Sequence, residues 1–303
     1  MSKKLLLGII VILIITNIAS LTFWNNGEES PAESAGEENG PAIDTKEPVA
    51  TIGGEEISYE NWMSSLRSNH GKKQLKTMVD HEVVAQLAEE KGIEIDEKVI
   101  NREVAMLTAM QGVMTEEEYD EAEKGWREDI RYRYQLEMLL TEGTDIPEGD
   151  MESHYQTYGN QYNVTPSMQL SHIVVDDEET ANKVKEELDN GASFNMLAQE
   201  YSTDEESRDA GGYLGYIFTT SQFFPDGYEE VAADMDEHSY SEPFAVGNQY
   251  AVIYLHKKLS GIDFTYEEMK PYIRTELAMH KLDQTLTAEP LWEELDIEWV
   301  YDE

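Results

Sequence analysis

Cysteine is absent from the 303 residues, which excludes disulfides, thiolate nucleophiles, Cys-ligated zinc and thiol-linked lipid anchors together. Basic residues are scarce: 22 lysines and arginines stand against 63 aspartates and glutamates, a formal net charge of −41. A surface of that sign repels nucleic-acid phosphates and anionic lipid headgroups, which argues against a nucleic-acid binder. Several chemical signatures are also missing. Gly211, Gly212 and Gly215 have neither a lysine–threonine pair nor a G-x-G-x-x-G frame, so they do not read as a phosphate loop. "DMDEHSYSE" (234–242) lacks the glycine and terminal glutamate of a calcium loop. "DHE" (80–82) has no second histidine at helical spacing to hold zinc. No cofactor is therefore expected.

What is present suffices for a core, since 40% of the residues are apolar and the length fits two or three compact units. Lys3 and Lys4 precede "LLLGIIVILIITNIASLTFW" (5–24), an uncharged run of the length needed to cross a bilayer. The basic flank predicts a cytoplasmic amino end, with the remainder exported. Trp24 at the outer edge favours an uncleaved membrane anchor (1–24); Ile18-Ala19-Ser20 keeps a cleaved signal peptide open. Residues 25–47, rich in Gly, Glu, Pro and Ser, predict a disordered acidic linker of roughly 25–30 Å.

From 48 to 162 the pattern predicts a helical lobe. Two short strands flank Gly53-Gly54, and Ser58 reads as the N-cap of a first helix. Further helices are expected over 73–91, 96–111, 115–141 and 147–160. From 163 to 258 the pattern changes to a compact αβ domain. "MQLSHIVV" (168–175) alternates as a strand that puts Met168, Leu170, His172 and Val174 on one face. Two helices follow, "DEETANKVKEELDNG" and "SFNMLAQEYS". Then come the glycine-rich "GGYLG", a short helix "YEEVAADM" and a strand pair near 242–257. Residues 265–295 return to helix, and the segment 259–303 is expected to pack on the helical lobe.

Four features in order give the αβ segment a family likeness: a first-strand histidine, "F-x-x-L-A-x-x-Y-S", "G-G-x-L-G" and "S-x-P-hydrophobic" before the last strands. With these, residues 163–258 resemble the parvulin peptidyl-prolyl isomerases, and the 48–162 lobe resembles the chaperone segment of PrsA- and SurA-like exported foldases. The resemblance implies an α+β fold: a parvulin-like domain, with a small antiparallel sheet and surrounding helices, inserted in a mostly helical chaperone lobe. It also implies isomerisation of X-Pro bonds in unfolded or partly folded exported polypeptides. The membrane is a partner only through the N-terminal helix, and a dimer stays open.

Carried over residue by residue, the resemblance makes His172 and Asp204 catalytic, and Leu214, Phe223, Tyr228 and Tyr250 substrate-binding. Tyr228 falls on a pocket phenylalanine once an extra residue near Gly227 is allowed. The family's second active-site histidine is replaced by Ala251, and neither His256 nor His238 falls in its place. Two functions therefore stay open: an active prolyl isomerase, or a chaperone that uses the domain only to hold peptides. Six aromatics between Tyr213 and Tyr228 likewise read either as core or as a surface for apolar guests.

Overall fold

The structure is a computed structural model that describes residues 43–282 and 286–301. The apolar run 5–24 and most of the linker lie outside the described residues. Among the described residues, no helix is long and apolar enough to cross a membrane. The chain divides into two compact units, 1–71 and 72–303, a boundary that falls inside the expected 48–162 lobe.

In the first unit, β1 (Pro48–Ile52) and β2 (Glu55–Ser58) form an antiparallel hairpin. Its turn is Gly53-Gly54, both at positive φ, which costs glycine little. Ser58 caps α1 (Tyr59–Leu66) by accepting the Asn61 N–H at 3.2 Å, and a π-helical turn (Arg67–Gly71) follows.

The second unit has a helical part and an αβ part. The helices are α2 (Lys72–Glu90), α3 (Glu97–Ala109), α4 (Glu116–Leu140) and α5 (Glu148–Tyr158). Asp96 caps α3, and Thr115 with Glu118 forms a reciprocal capping box on α4. Beyond the αβ part, α9 (Tyr266–Met279) and a 3-10 helix (Glu289–Glu294) complete this packing. One apolar cluster joins Val99, Ile100, Ile130, Met151 and Ile273; another joins Val84, Leu87, Leu136 and Leu291. The C-terminal segment is thus built into the helical part. Of the helix expected within 265–295, α9 ends at Met279, and a separate 3-10 turn whose second residue is Pro290 follows.

The αβ part leaves and rejoins the helical part through paired chain passages. Val164 and Ile262 exchange backbone hydrogen bonds of 2.8 and 3.0 Å, and the Asn163 side chain accepts the Phe264 N–H at 2.9 Å. Between them lie β3 (Ser167–Val175), α6 (Glu178–Asp189), α7 (Phe194–Tyr201), β4 (Tyr213–Phe218), α8 (Tyr228–Ala233), β5 (Ser239–Tyr240), β6 (Phe244–Val246) and β7 (Gln249–Leu259). The antiparallel sheet runs β4-β3-β7-β5, with β6 also paired to β7. The glycine-rich "GGYLG" segment leads into the edge strand β4. Gly211 and Gly212 turn the chain at positive φ, and Tyr213 to Phe218 then pair with β3.

Alternation along β3 sorts the core. Ile173 and Val175, with Val252 of β7, pack under α6 and α7 against Val184 and Leu197. Met168 and Leu170, with Ala251, Ile253 and Leu255 of β7, pack against Tyr228 and Ala232 of α8. Helices cover both faces, so even Gln169 and Ser171 are buried and must find partners inside. Gln169 donates to the Gly112 carbonyl and pairs with the Tyr213 hydroxyl. Ser171 meets His256 Nε2 at 2.8 Å, and His256 is the extra residue where the β3–β7 register shifts.

Burial first, and then the charge of His238, push the His256 pKa down to about 4. Its folded pKa lies below the ordinary value of about 6.5, so between these values the unfolded chain binds the extra proton. Stability should therefore fall as the pH drops from about 6.5 to about 4, by on the order of 3 kcal/mol from this group. Urea unfolding at stepped pH should show this loss, and His256→Gln should flatten that stretch of the curve; an unchanged slope would assign it to other groups.

Candidate active site

Placing a histidine on a fully covered strand creates a local problem: each ring nitrogen needs a partner away from bulk water. His172 lies mid-β3, 7% exposed, and three chain segments converge on it. Its backbone N–H donates to the Gly212 carbonyl at 2.8 Å. Gly212 has φ +81°, and a Cβ there would stand 2.1 Å from the His172 carbonyl oxygen, so only glycine lets the two backbones approach.

The loop after α7 is pinned to the end of β3. Thr203 N–H donates to the Val174 carbonyl at 2.8 Å, and the Ser202 hydroxyl accepts the Val174 and Asp204 N–H groups at 3.3 Å each. This pinning brings Asp204 to the ring, with Oδ2 2.8 Å from His172 Nε2. The same oxygen accepts from Ser207 twice, from the backbone N–H at 3.2 Å and from the hydroxyl at 2.5 Å. Burial raises the Asp204 pKa, but hydrogen bonds from Ser207 and His172 outweigh it and hold the carboxyl below its ordinary value. Asp204 is consequently an anion at neutral pH, and 28% of its side chain is exposed.

On the other side of the ring, Nδ1 lies 2.8 Å from the Tyr228 hydroxyl. Tyr228 opens α8 directly after Gly227, which takes a left-handed φ of +83°. Burial, and then the Asp204 charge, push the Tyr228 pKa up, so the phenol keeps its proton. Since a carboxylate only accepts, the partners define one tautomer: Nε2–H donates to Asp204, and Nδ1 accepts from Tyr228.

The expected site residues separate clearly. His172, Asp204 and Tyr228 are brought together. Leu214, on β4, packs half-buried at the edge of the same apolar cluster. Phe223 is 78% exposed, and it is Phe224 that packs against the His172 face. Tyr250 pairs with Val175 and lies on the opposite face, with its hydroxyl 3.5 Å from Glu178, so it cannot line a cleft beside His172. Tyr228 is 1% exposed, so it supports the imidazole from inside instead of forming an open pocket wall. Ala251, on the His172 face opposite Val174, is fully buried. Ser207 escaped the sequence reading. Its signal was the spacing Asp-x-x-Ser, which lets an aspartate accept from the residue three further on.

This arrangement does not suit hydrolysis. In a serine triad the nucleophile and the acid flank opposite nitrogens of the imidazole. Here Ser207 and Asp204 share Nε2, Ser207 is 4% exposed and gives its proton to Asp204, and Nδ1 faces a buried phenol. Among the described residues no three His, Asp or Glu side chains converge to hold a metal ion. The arrangement offers a fixed imidazole and an accessible carboxylate beside apolar side chains, a site that polarises without a nucleophile.

Residues 174–257 match the family model described as "Rotamase: PPIC-type PPIASE domain". The chain is 37% identical over 263 residues to "Putative peptidyl-prolyl cis-trans isomerase YacD" of Bacillus subtilis, covering 86% of this chain and 88% of that protein. It is 28% identical over 262 residues to "Foldase protein PrsA 2" of Bacillus cereus, covering 86% and 82% respectively. The crystal structure of peptidylprolyl isomerase (PrsA) from Bacillus cereus is similar at 25% identity and a TM-score of 0.33, covering 85% of this chain and 95% of that one.

Gly212 and Gly191 both have left-handed backbones, but a Cβ at Gly191 meets open space. Gly191→Ala should cost about 1–2 kcal/mol for the backbone alone. Gly212→Ala adds the clash with His172 and should cost roughly 3 kcal/mol or more. Urea unfolding midpoints compare the two; equal costs would mean that the close approach at His172 is dispensable.

Proposed function

The chain belongs to the parvulin, or PPIC-type, family of peptidyl-prolyl cis-trans isomerases, and on that premise we propose that it is an extracytoplasmic prolyl isomerase and foldase. Its substrates are X-Pro bonds in exported polypeptides that are still unfolded. The observation that carries this reading is the His172–Asp204 pair, 2.8 Å apart, with no activated nucleophile beside it. Prolyl isomerisation breaks no covalent bond. Its barrier of about 18–20 kcal/mol comes from amide resonance, and a catalyst lowers it by binding the twisted amide better than either planar form. The exposed edge of Asp204 and the half-buried Leu214 and Phe224 supply a polar and an apolar contact for such a peptide. The exported setting rests on the basic-flanked apolar run 5–24, which would also tether the protein to the membrane.

A second reading is favoured by Ala251, which the resemblance sets at the position of the family's second active-site histidine. On that reading the domain holds peptides without accelerating isomerisation. Exposed Phe218, Phe223 and Met196 would serve either role as apolar contacts for unfolded chain.

Exchange NMR on a proline-containing peptide with the full chain distinguishes the two. The intact protein should raise the cis/trans exchange rate above buffer. Asp204→Asn should lower the added rate by roughly tenfold or more, and His172→Ala should abolish it. An intact protein that adds no rate, yet suppresses aggregation of an unfolded client, establishes the holding function instead. A rate insensitive to both substitutions would move the site elsewhere.

A further inference from the structure

His172 has two ring nitrogens to satisfy, and the second histidine that the family pattern would supply is missing. At that position Ala251 is fully buried, and its neighbour across the ladder is Phe244. The Phe244 ring meets Tyr228 edge to face with centroids 5.4 Å apart, and all three residues belong to one apolar cluster. The space beside Ala251 is thus closed by apolar contacts centred on Tyr228. The Tyr228 hydroxyl, carried on a side chain that is 1% exposed, approaches His172 Nδ1 at 2.8 Å.

A buried phenol must donate somewhere, because an O–H without an acceptor is costly away from water. Nδ1 is the acceptor it meets. If Nδ1 carried the neutral ring's proton, Nε2 would turn a lone pair toward the Asp204 carboxylate, and the phenol proton would have no acceptor. Tyr228 and Asp204 therefore demand the same tautomer from opposite sides of one ring.

Building on the isomerase reading above, we infer that Tyr228 is the positioning residue of this site: its hydroxyl donates to His172 Nδ1, fixes the Nε2–H tautomer and aims it at Asp204, in place of a second histidine. Tyr228 touches no substrate and acts only through His172.

The test uses the full chain and the variant Tyr228→Phe, which keeps the ring and removes only the hydroxyl. Side-chain 15N correlation spectra of His172 at neutral pH should show a single Nε2–H tautomer in the wild type. In Tyr228→Phe the Nδ1 signal should move toward that of an imine nitrogen lacking a hydrogen bond. In the isomerase assay kcat should fall roughly tenfold with KM nearly unchanged, the effect of losing one hydrogen bond made to the ring and not to the peptide. A merely structural tyrosine would lower the unfolding midpoint while leaving the His172 spectrum and kcat as they were, and that result overturns the inference. Should Tyr228→Phe fail to fold, the wild-type spectrum decides alone: an Nδ1–H tautomer or a mixture overturns the inference. Should the wild type show no isomerase rate, the enzymatic reading fails, while the nitrogen spectra still decide how the ring is held.

Discussion

An imidazole held at the centre of a strand that is covered on both faces is the constraint around which the αβ part is organised. Each hydrogen bond left unmade at such a depth costs about 1–3 kcal/mol, so the surrounding chain must deliver partners with correct geometry. The Gly211-Gly212 turn takes the backbone N–H, the loop after α7 delivers Asp204, and α8 delivers Tyr228. Ser207 in turn holds Asp204, which keeps the carboxylate charged while part of it stays open to solvent. Features that look separate in the chain, a diglycine, an acidic loop and a short helix, are conditions on one ring.

The helical part meets a different demand, because few cations must serve a strongly acidic chain. Several are spent where distant segments meet. Arg274 donates to the Thr141, Glu142 and Thr144 carbonyls and so closes the end of α4 with a side chain from α9. Lys91 bridges Glu142 and Glu294, at 2.9 and 2.8 Å. Arg102 binds the Tyr162 carbonyl at 2.7 Å and also Glu103, which Arg133 and Tyr134 hold from α4. Exposed ion pairs contribute little to stability individually. The Arg102, Glu103 and Arg133 group is largely buried and joins α3 and α4 to the passage that leads into β3, so it helps to fix where the αβ part begins.

Legibility in the sequence followed the range of the interactions. The face of β3 that carries His172 was readable because strand alternation is local, and Asp204 was readable because the motif sets its distance from α7. Phe223 and Phe224 are neighbours, and nothing local says which turns inward; packing against the α8 side of the sheet selects Phe224. Tyr250, which the resemblance makes substrate-binding, precedes Ala251 on β7, and adjacent strand residues point to opposite faces. Tyr213, Tyr216 and Phe218 lie on a strand that exists only once β3 is present to pair with, and the glycines before them carry no local strand signal.

By itself the sequence determined most of the helices, the Ser58 cap, the Gly53-Gly54 turn and the presence of a histidine on a strand with apolar neighbours, all consequences of local sterics and periodicity. Tertiary structure alone decided that Tyr228 reaches the other side of that histidine's ring. Tyr228 lies 56 residues from His172, and no spacing rule connects them. They meet because α8 must bury its apolar side against Leu170, Ala251 and Ile253, and burying it leaves the phenol one partner to find.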